Sequence, residues 1–184
     1  MDCLNCENKI CRKEQGSCSD VIFNKEYIRQ MYQINENKSV IESAAQLVDN
    51  GRAGTLSRIA EIVEFAKLMN YKKIGLAYCY GMERDAKNLQ AIFAELGLNI
   101  IGISCSVGGL QQSEVNAKSC IHKVSCNPLG QAEQLNTEDV DLTIVMGICL
   151  GHDILLTRNL TMDSTTLVVK DRVFNHNPLK FLEK

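Results

Sequence analysis

From residue 72 onward, short apolar runs alternate with stretches of helical periodicity, and this alternation restricts the chain to few architectures. "KKIGLAYC" reads as a first strand, "NIIGISCSVG" as a second, "VDLTIVMGIC" as a third and "TTLVVKDR" as a fourth. "GMERDAKNLQAIFAELG" is a helix that stops on Gly97; "PLGQAEQLN" and "HDILLTRNL" are shorter helices, the first preceded by a polar loop. Strands that are apolar nearly throughout and alternate with helices imply a parallel sheet covered on both faces. The expected fold is therefore α/β, an open parallel sheet of about four strands with helices on both faces. Right-handed βαβ connections point to the order 2-1-3-4.

Ahead of this lies a helical segment, residues 24–70. A short helix is expected from Asn24 to Gln33, with "NENKS" as a connector. "SVIE" has the capping-box form, Ser39 as N-cap and Glu42 three positions on, and "DNG" stops that helix near Gly51. A further helix is expected from about Thr55 to Asn70, with Ile59, Ile62, Val63, Ala66 and Met69 on its apolar face. The chain thus divides into a cysteine-rich segment (1–23), a helical segment packed on the core (24–70) and an α/β domain (71–184), one globular unit overall.

The cysteine-rich segment carries Cys3, Cys6, Cys11 and Cys18, spaced C-x2-C-x4-C-x6-C. It has too few apolar side chains to order itself by burial, and ordering costs about 1–2 kcal/mol per residue in backbone entropy. Structural zinc contributes roughly 10–16 kcal/mol in small peptides. A C-x2-C pair delivers two sulfurs to one tetrahedral ion, and two more thiols complete a four-sulfur site for zinc or a [4Fe-4S] cluster. The plainer account is a reduced, unstructured tail. No apolar h-region opens the chain, and the longest apolar run, "LTIVMGICLG", falls well short of the roughly 18 residues of a membrane span. A cytoplasmic location is expected, where thiols stay reduced and cysteine clusters bind metal or do chemistry. Twenty basic residues against 22 acidic ones leave no basic excess for nucleic acid.

A second group of thiols follows the strands: Cys79, Cys105 and Cys149, with Cys126 just before "NPLGQ". Ligands of parallel sheets bind outside the carboxyl ends of the strands. Two of these cysteines immediately precede helices, whose N-termini carry partial positive charge that favours thiolate. Cys79, Cys105, Cys126 and Cys149 are the expected ligands of a second cluster, or nucleophiles; Cys79, Cys149, His152 and Lys170 are the expected catalytic groups, the last two as proton donors. Asp153, Asp171, Arg172, His176 and Asn177 fall at the same edge. The plainer account is burial of cysteine as a small hydrophobe. Cys120 and His122, in the polar loop, have no assigned role.

Together, the four leading cysteines, "GLAYCYGM", "CNPLGQAEQLN", "GICLGHD" and "KDRVFNHNPL" resemble the family catalogued as domain of unknown function 1847 and described as predicted metal-binding. The resemblance covers nearly the whole chain and implies metal binding, without an established reaction. Where the family's second strand usually ends in a Cys-Cys-Lys-like stretch, this chain reads "SCSVGG", so Cys105 matches one thiol. Two functions are weighed. The first is a metal-binding protein whose thiol-lined sheet edge does redox or sulfur chemistry, on a small-molecule ligand. The second is a non-catalytic small-ligand or protein-binding module with a structural zinc knuckle. The residues leave open whether the protein is an enzyme.

Overall fold

The computed structural model describes residues 2–7, 9–12, 24–121 and 123–183. Cys18, one of the four expected N-terminal ligands, and His122 lie outside the described residues. The chain forms two compact units, Met1–Gln46 and Leu47–Lys184.

In the first unit, Asn24 caps helix α1 (Lys25–Met31), its side chain accepting from the N–H groups of Glu26 and Tyr27. Helix α2 (Asn35–Val48) begins a full turn before the expected start. The capping-box reading of "SVIE" is therefore overturned. Ser39 lies inside the helix and its hydroxyl donates back to the Asn35 carbonyl at 2.8 Å. A Ser-x-x-Glu pattern is equally compatible with such back-bonding in a helix interior. "NENKS", expected as a connector, is the first part of the helix.

The second unit holds the sheet. Helix α3 (Arg58–Leu68), capped by Ser57, buries Ile62, Val63 and Ala66. Strand β1 (Lys73–Tyr78) leads through a 3-10 turn (Tyr80–Met82) into α4 (Glu83–Glu95) and β2 (Asn99–Ser104). The described residues of the polar loop include a 3-10 turn (Val107–Gly109), a short helix, α5 (Gln112–Val115), and a bridge between Gln111 and Val124. Then come α6 (Pro128–Thr137), β3 (Leu142–Met146), α7 (His152–Asn159) and β4 (Asp163–Val168).

The sheet is four-stranded, all parallel and ordered β2-β1-β3-β4, as the sequence implies. Of its central strands, β3 is buried at every residue and β1 at all but its two half-buried ends. Gly75 shows which helix covers which face. A Cβ there would meet Leu135 of α6 at 2.8 Å and Val140 at 3.0 Å. Leu76 and Tyr78 point the other way and line a cavity with Glu83, Ala86, Lys87 and Gln90 of α4. Helices thus cover both faces. The edge strand β4 departs from the apolar rule: Asp163, Ser164 and Thr166 are exposed. Among the described residues, no helix is long and apolar enough to cross a membrane.

Candidate functional site

Register sets the site. Tyr78 of β1 pairs with Ser104 of β2 and with Met146 of β3, and Met146 pairs with Val168 of β4. The four strands therefore end nearly level, and the residues just beyond them share one edge. Chain order reverses between β1 and β3, where a parallel sheet opens a crevice for ligands. Cys79 directly follows β1 and Cys149 follows β3, so the two flank the switch point in the chain.

Cys79 is 5% exposed, its N–H bonded to the Met146 carbonyl at 3.1 Å. Lys170 Nζ donates to its sulfur at 3.2 Å. Half-buried Cys149 accepts from Arg172 Nη2 at 3.2 Å. The hydrogen bond and charge of Cys149, and further off the charges of Cys79 and Cys126, hold the Arg172 guanidinium above its ordinary value. Arg172 is thus in electrostatic reach of three of the four thiols.

Cys105 is 3% exposed and directly follows β2, its N–H bonded to the Tyr78 carbonyl. Burial pushes its thiol up to about 12, opposed by the Tyr80 N–H and reinforced by Cys126 and Cys79. Desolvation is the largest effect on Cys105, which precedes the polar loop and not one of the expected helices. The Cys126 sulfur lies 3.7 Å from that of Cys105. Asn127 fixes the pair: its N–H donates to the Cys105 carbonyl at 2.7 Å, its side chain donates to Val107 O and accepts from Gly130 N–H. Gly130 is required here, since any Cβ would collide with the Asn127 amide.

The loop after β4 is locked by its own residues. Asp171 Oδ1 accepts from the N–H groups of Val173 and Phe174, both at 2.9 Å. His176 Nδ1 accepts from Asp171 N–H at 3.1 Å, so His176 is a positioning residue for the turn that carries Arg172. Asp153 closes the turn into α7, its Oδ1 accepting from Gly151 and Ile154.

Of the expected site residues, Lys170 meets Cys79, and Cys105 meets Cys126. His152 stands at the start of α7, but its buried Nδ1 has no partner among the described residues. Among the described residues, no three His, Cys, Asp or Glu side chains are grouped to hold a metal ion. In the N-terminal segment Cys3 and Cys11 are exposed free thiols and Cys6 is half-buried. The sequence sets Arg172 at the edge but does not give its partner, and it does not single out Gln131. Fully buried Gln131 donates to the carbonyls of Tyr78 and Ile103, joining the ends of β1 and β2. Its signal was a polar residue on the apolar stripe of α6, between Pro128 and Leu135.

An open parallel α/β sheet with a cysteine-lined carboxyl edge is the class that fold and site define. The chain belongs to the family described as "Protein of unknown function (DUF1847)", which matches residues 18–167 and so spans all four edge cysteines. It is 37% identical over 181 residues to "Uncharacterized protein MJ0455" of Methanocaldococcus jannaschii, covering 96% of this chain and 91% of that protein. No solved structure matches the chain.

Proposed function

We propose that the carboxyl edge of the sheet is a thiol-chemistry site for redox or sulfur reactions, with Cys79 and Cys149 as thiolate nucleophiles. One observation carries this reading: each of those two sulfurs lies 3.2 Å from a cationic nitrogen, Lys170 Nζ or Arg172 Nη2, beyond the carboxyl ends of β1 and β3. A cation donating to sulfur stabilises the negative charge that the sulfur carries as it reacts. In this proposal Lys170 returns a proton to Cys79, and His152 is the second proton donor.

Lys170→Met tests it. A hydrogen bond to a charged group contributes about 1.5–3 kcal/mol net. At 1.36 kcal/mol per decade, alkylation of Cys79 by iodoacetamide near neutral pH falls about tenfold or more. Peptide mapping reads each cysteine separately, so exposed Cys120 serves as an internal control. An unchanged Cys79 rate in a folded Lys170→Met protein sinks the reading.

The N-terminal cysteines Cys3, Cys6, Cys11 and Cys18 form a separate site in this proposal, for zinc or a [4Fe-4S] cluster. Its support is the spacing, together with the lack of any buried side chain among the described residues 2–12. A second reading of the sheet edge, a zinc ion or cluster held by Cys79, Cys105, Cys126 and Cys149, is favoured by one distance. The 3.7 Å between the Cys105 and Cys126 sulfurs is close to the edge of a thiolate tetrahedron around zinc, about 3.8 Å for zinc–sulfur bonds of about 2.3 Å. Metal or acid-labile sulfide lost in Cys79→Ser and Cys149→Ser variants would favour it.

A further inference from the structure

We propose that Cys105 and Cys126 are a dithiol that exchanges with small, uncharged disulfides entering beside Cys126. The inference rests on the reading of this edge as a thiol site, but concerns the two sulfurs that face each other instead of those held by Lys170 and Arg172. Their separation is 3.7 Å, against about 2.05 Å in a disulfide. The hydrogen bond from Asn127 N–H to the Cys105 carbonyl, at 2.7 Å, ties the two backbone segments together. The remaining gap is then closed by side-chain rotation.

Access to the two sulfurs is unequal. Cys126 is half-buried and lines a pocket of about 250 Å³ with Tyr80, Ser106, Val124 and Ser125. Cys105 is 3% exposed and does not line it. Among the described residues the pocket wall holds hydroxyl and apolar groups and no charged side chain, which suits a neutral, hydroxyl-bearing partner.

This asymmetry orders the reaction. The Cys126 thiol loses its proton to solvent and attacks one sulfur of the small disulfide. A mixed disulfide forms on Cys126 and one small thiolate leaves, taking up a proton. Cys105 then attacks the Cys126 sulfur, and its proton passes to the small sulfur that departs. The Cys105–Cys126 bond forms and the second small thiol leaves. Two protein thiols are oxidised and one small disulfide is reduced to two thiols, so atoms and electrons balance. Run backwards, the same steps reduce the protein disulfide with small thiols.

The test uses the full chain, reduced and kept without oxygen, with bis(2-hydroxyethyl) disulfide as probe. Peptide mapping of acid-quenched wild-type protein is expected to find the Cys105–Cys126 disulfide, with two small thiols released for each one formed. In Cys105→Ser the reaction stops at the mixed disulfide on Cys126, which accumulates about tenfold over wild type because nothing resolves it. Cys126→Ser leaves Cys105 unmodified. The proposal is overturned if wild-type Cys105 and Cys126 stay reduced while exposed Cys120 reacts, if the pair joins other cysteines instead, or if the adduct appears first on Cys105. It is also overturned if Cys126 is found ligating a metal. Wild-type mapping decides the matter even where a variant does not fold. A reduced Cys105–Cys126 pair alongside Lys170-dependent alkylation of Cys79 overturns the exchange alone. The opposite combination overturns the Cys79 reading alone.

Discussion

Gln131 gives its amide nitrogen to two strands at once, at 3.3 Å to Tyr78 O and 2.8 Å to Ile103 O. It does so fully buried, and its Oε1 has no partner among the described residues. The residue therefore bears a desolvation cost on one atom while the other holds together the strand ends that present Cys79 and Cys105. Replacing it with alanine removes both donations and leaves a void under the site. Gln131→Ala is expected to lower stability by about 1–3 kcal/mol. Urea unfolding measures this; a midpoint within error of wild type would show that the amide does not hold the strands. Two further edge residues work locally. Asp171 and His176 bond to the backbone of their own turn, and so fix where Arg172 starts. That "KDRVFNH" belongs to the edge was legible from its place after the fourth strand. That its acid and histidine serve the turn was not, because a turn's internal bonds depend on dihedral angles that residue types do not specify.

At the scale of elements, β1 and α6 approach so closely that only glycine fits at position 75. A Cβ there would stand 2.8 Å from Leu135 Cδ2 and 3.0 Å from both Thr143 Oγ1 and Val140 Cγ2. Gly75→Ala is expected to cost about 1–3 kcal/mol through overpacking, read as a lower urea midpoint with an unchanged slope. A second prediction concerns the outer strand. The Tyr71 hydroxyl, just ahead of β1, donates to Asp163 at the start of β4 at 3.2 Å. Burial first, then the Asp163 charge and hydrogen bond, raise this phenol from 10.0 to about 12. Burial raises Cys105 from 9.0 to about 12. Both groups are favoured neutral in the folded state, so the unfolded chain loses its protons first as pH rises. Their stabilisation is complete below about pH 9 for Cys105 and about pH 10 for Tyr71, and is lost as pH climbs toward about 12. Tyr71→Phe is expected to flatten the decline between pH 10 and 12. Melting curves across that range check it, and a decline as steep as wild type's contradicts it. Strand order and helix placement were legible because apolar runs and right-handed crossovers leave few choices. The start of α2 was not, because Ser39 and Glu42 suit a helix interior as readily as a cap.

Over the whole molecule, the buried hydrophobic residues described all lie at Leu47 or beyond, within the second unit. The first unit leaves large apolar side chains in the open: Tyr27 is 57% exposed, Tyr32 51% and Ile41 48%. The two groups of cysteines differ accordingly. At the sheet edge, strand register sets Cys79 and Cys105 just beyond two paired strand ends, which is why their placement could be read from where the strands end. The pairing of each sulfur with Lys170, Arg172 or another thiol could not, because it depends on loop paths after the strands. In the N-terminal segment no core does that work. Asp2, Cys3, Leu4 and Cys11 are all exposed. An ion gripped by thiolates would supply what burial does not, with the binding energy serving as folding energy. Metal removal is therefore expected to act locally. Anaerobic protein should carry one equivalent of zinc, or iron with acid-labile sulfide, per N-terminal site. A chelator strong enough to strip it should speed amide exchange across residues 2–12, and Cys3→Ser with Cys6→Ser should reproduce that change without chelator. The melting of the second unit should stay within about 1 kcal/mol of the loaded protein, since its core contains none of these ligands. Exchange over residues 2–12 that is indifferent both to the chelator and to the double substitution would leave the leading cysteines without a metal to explain them.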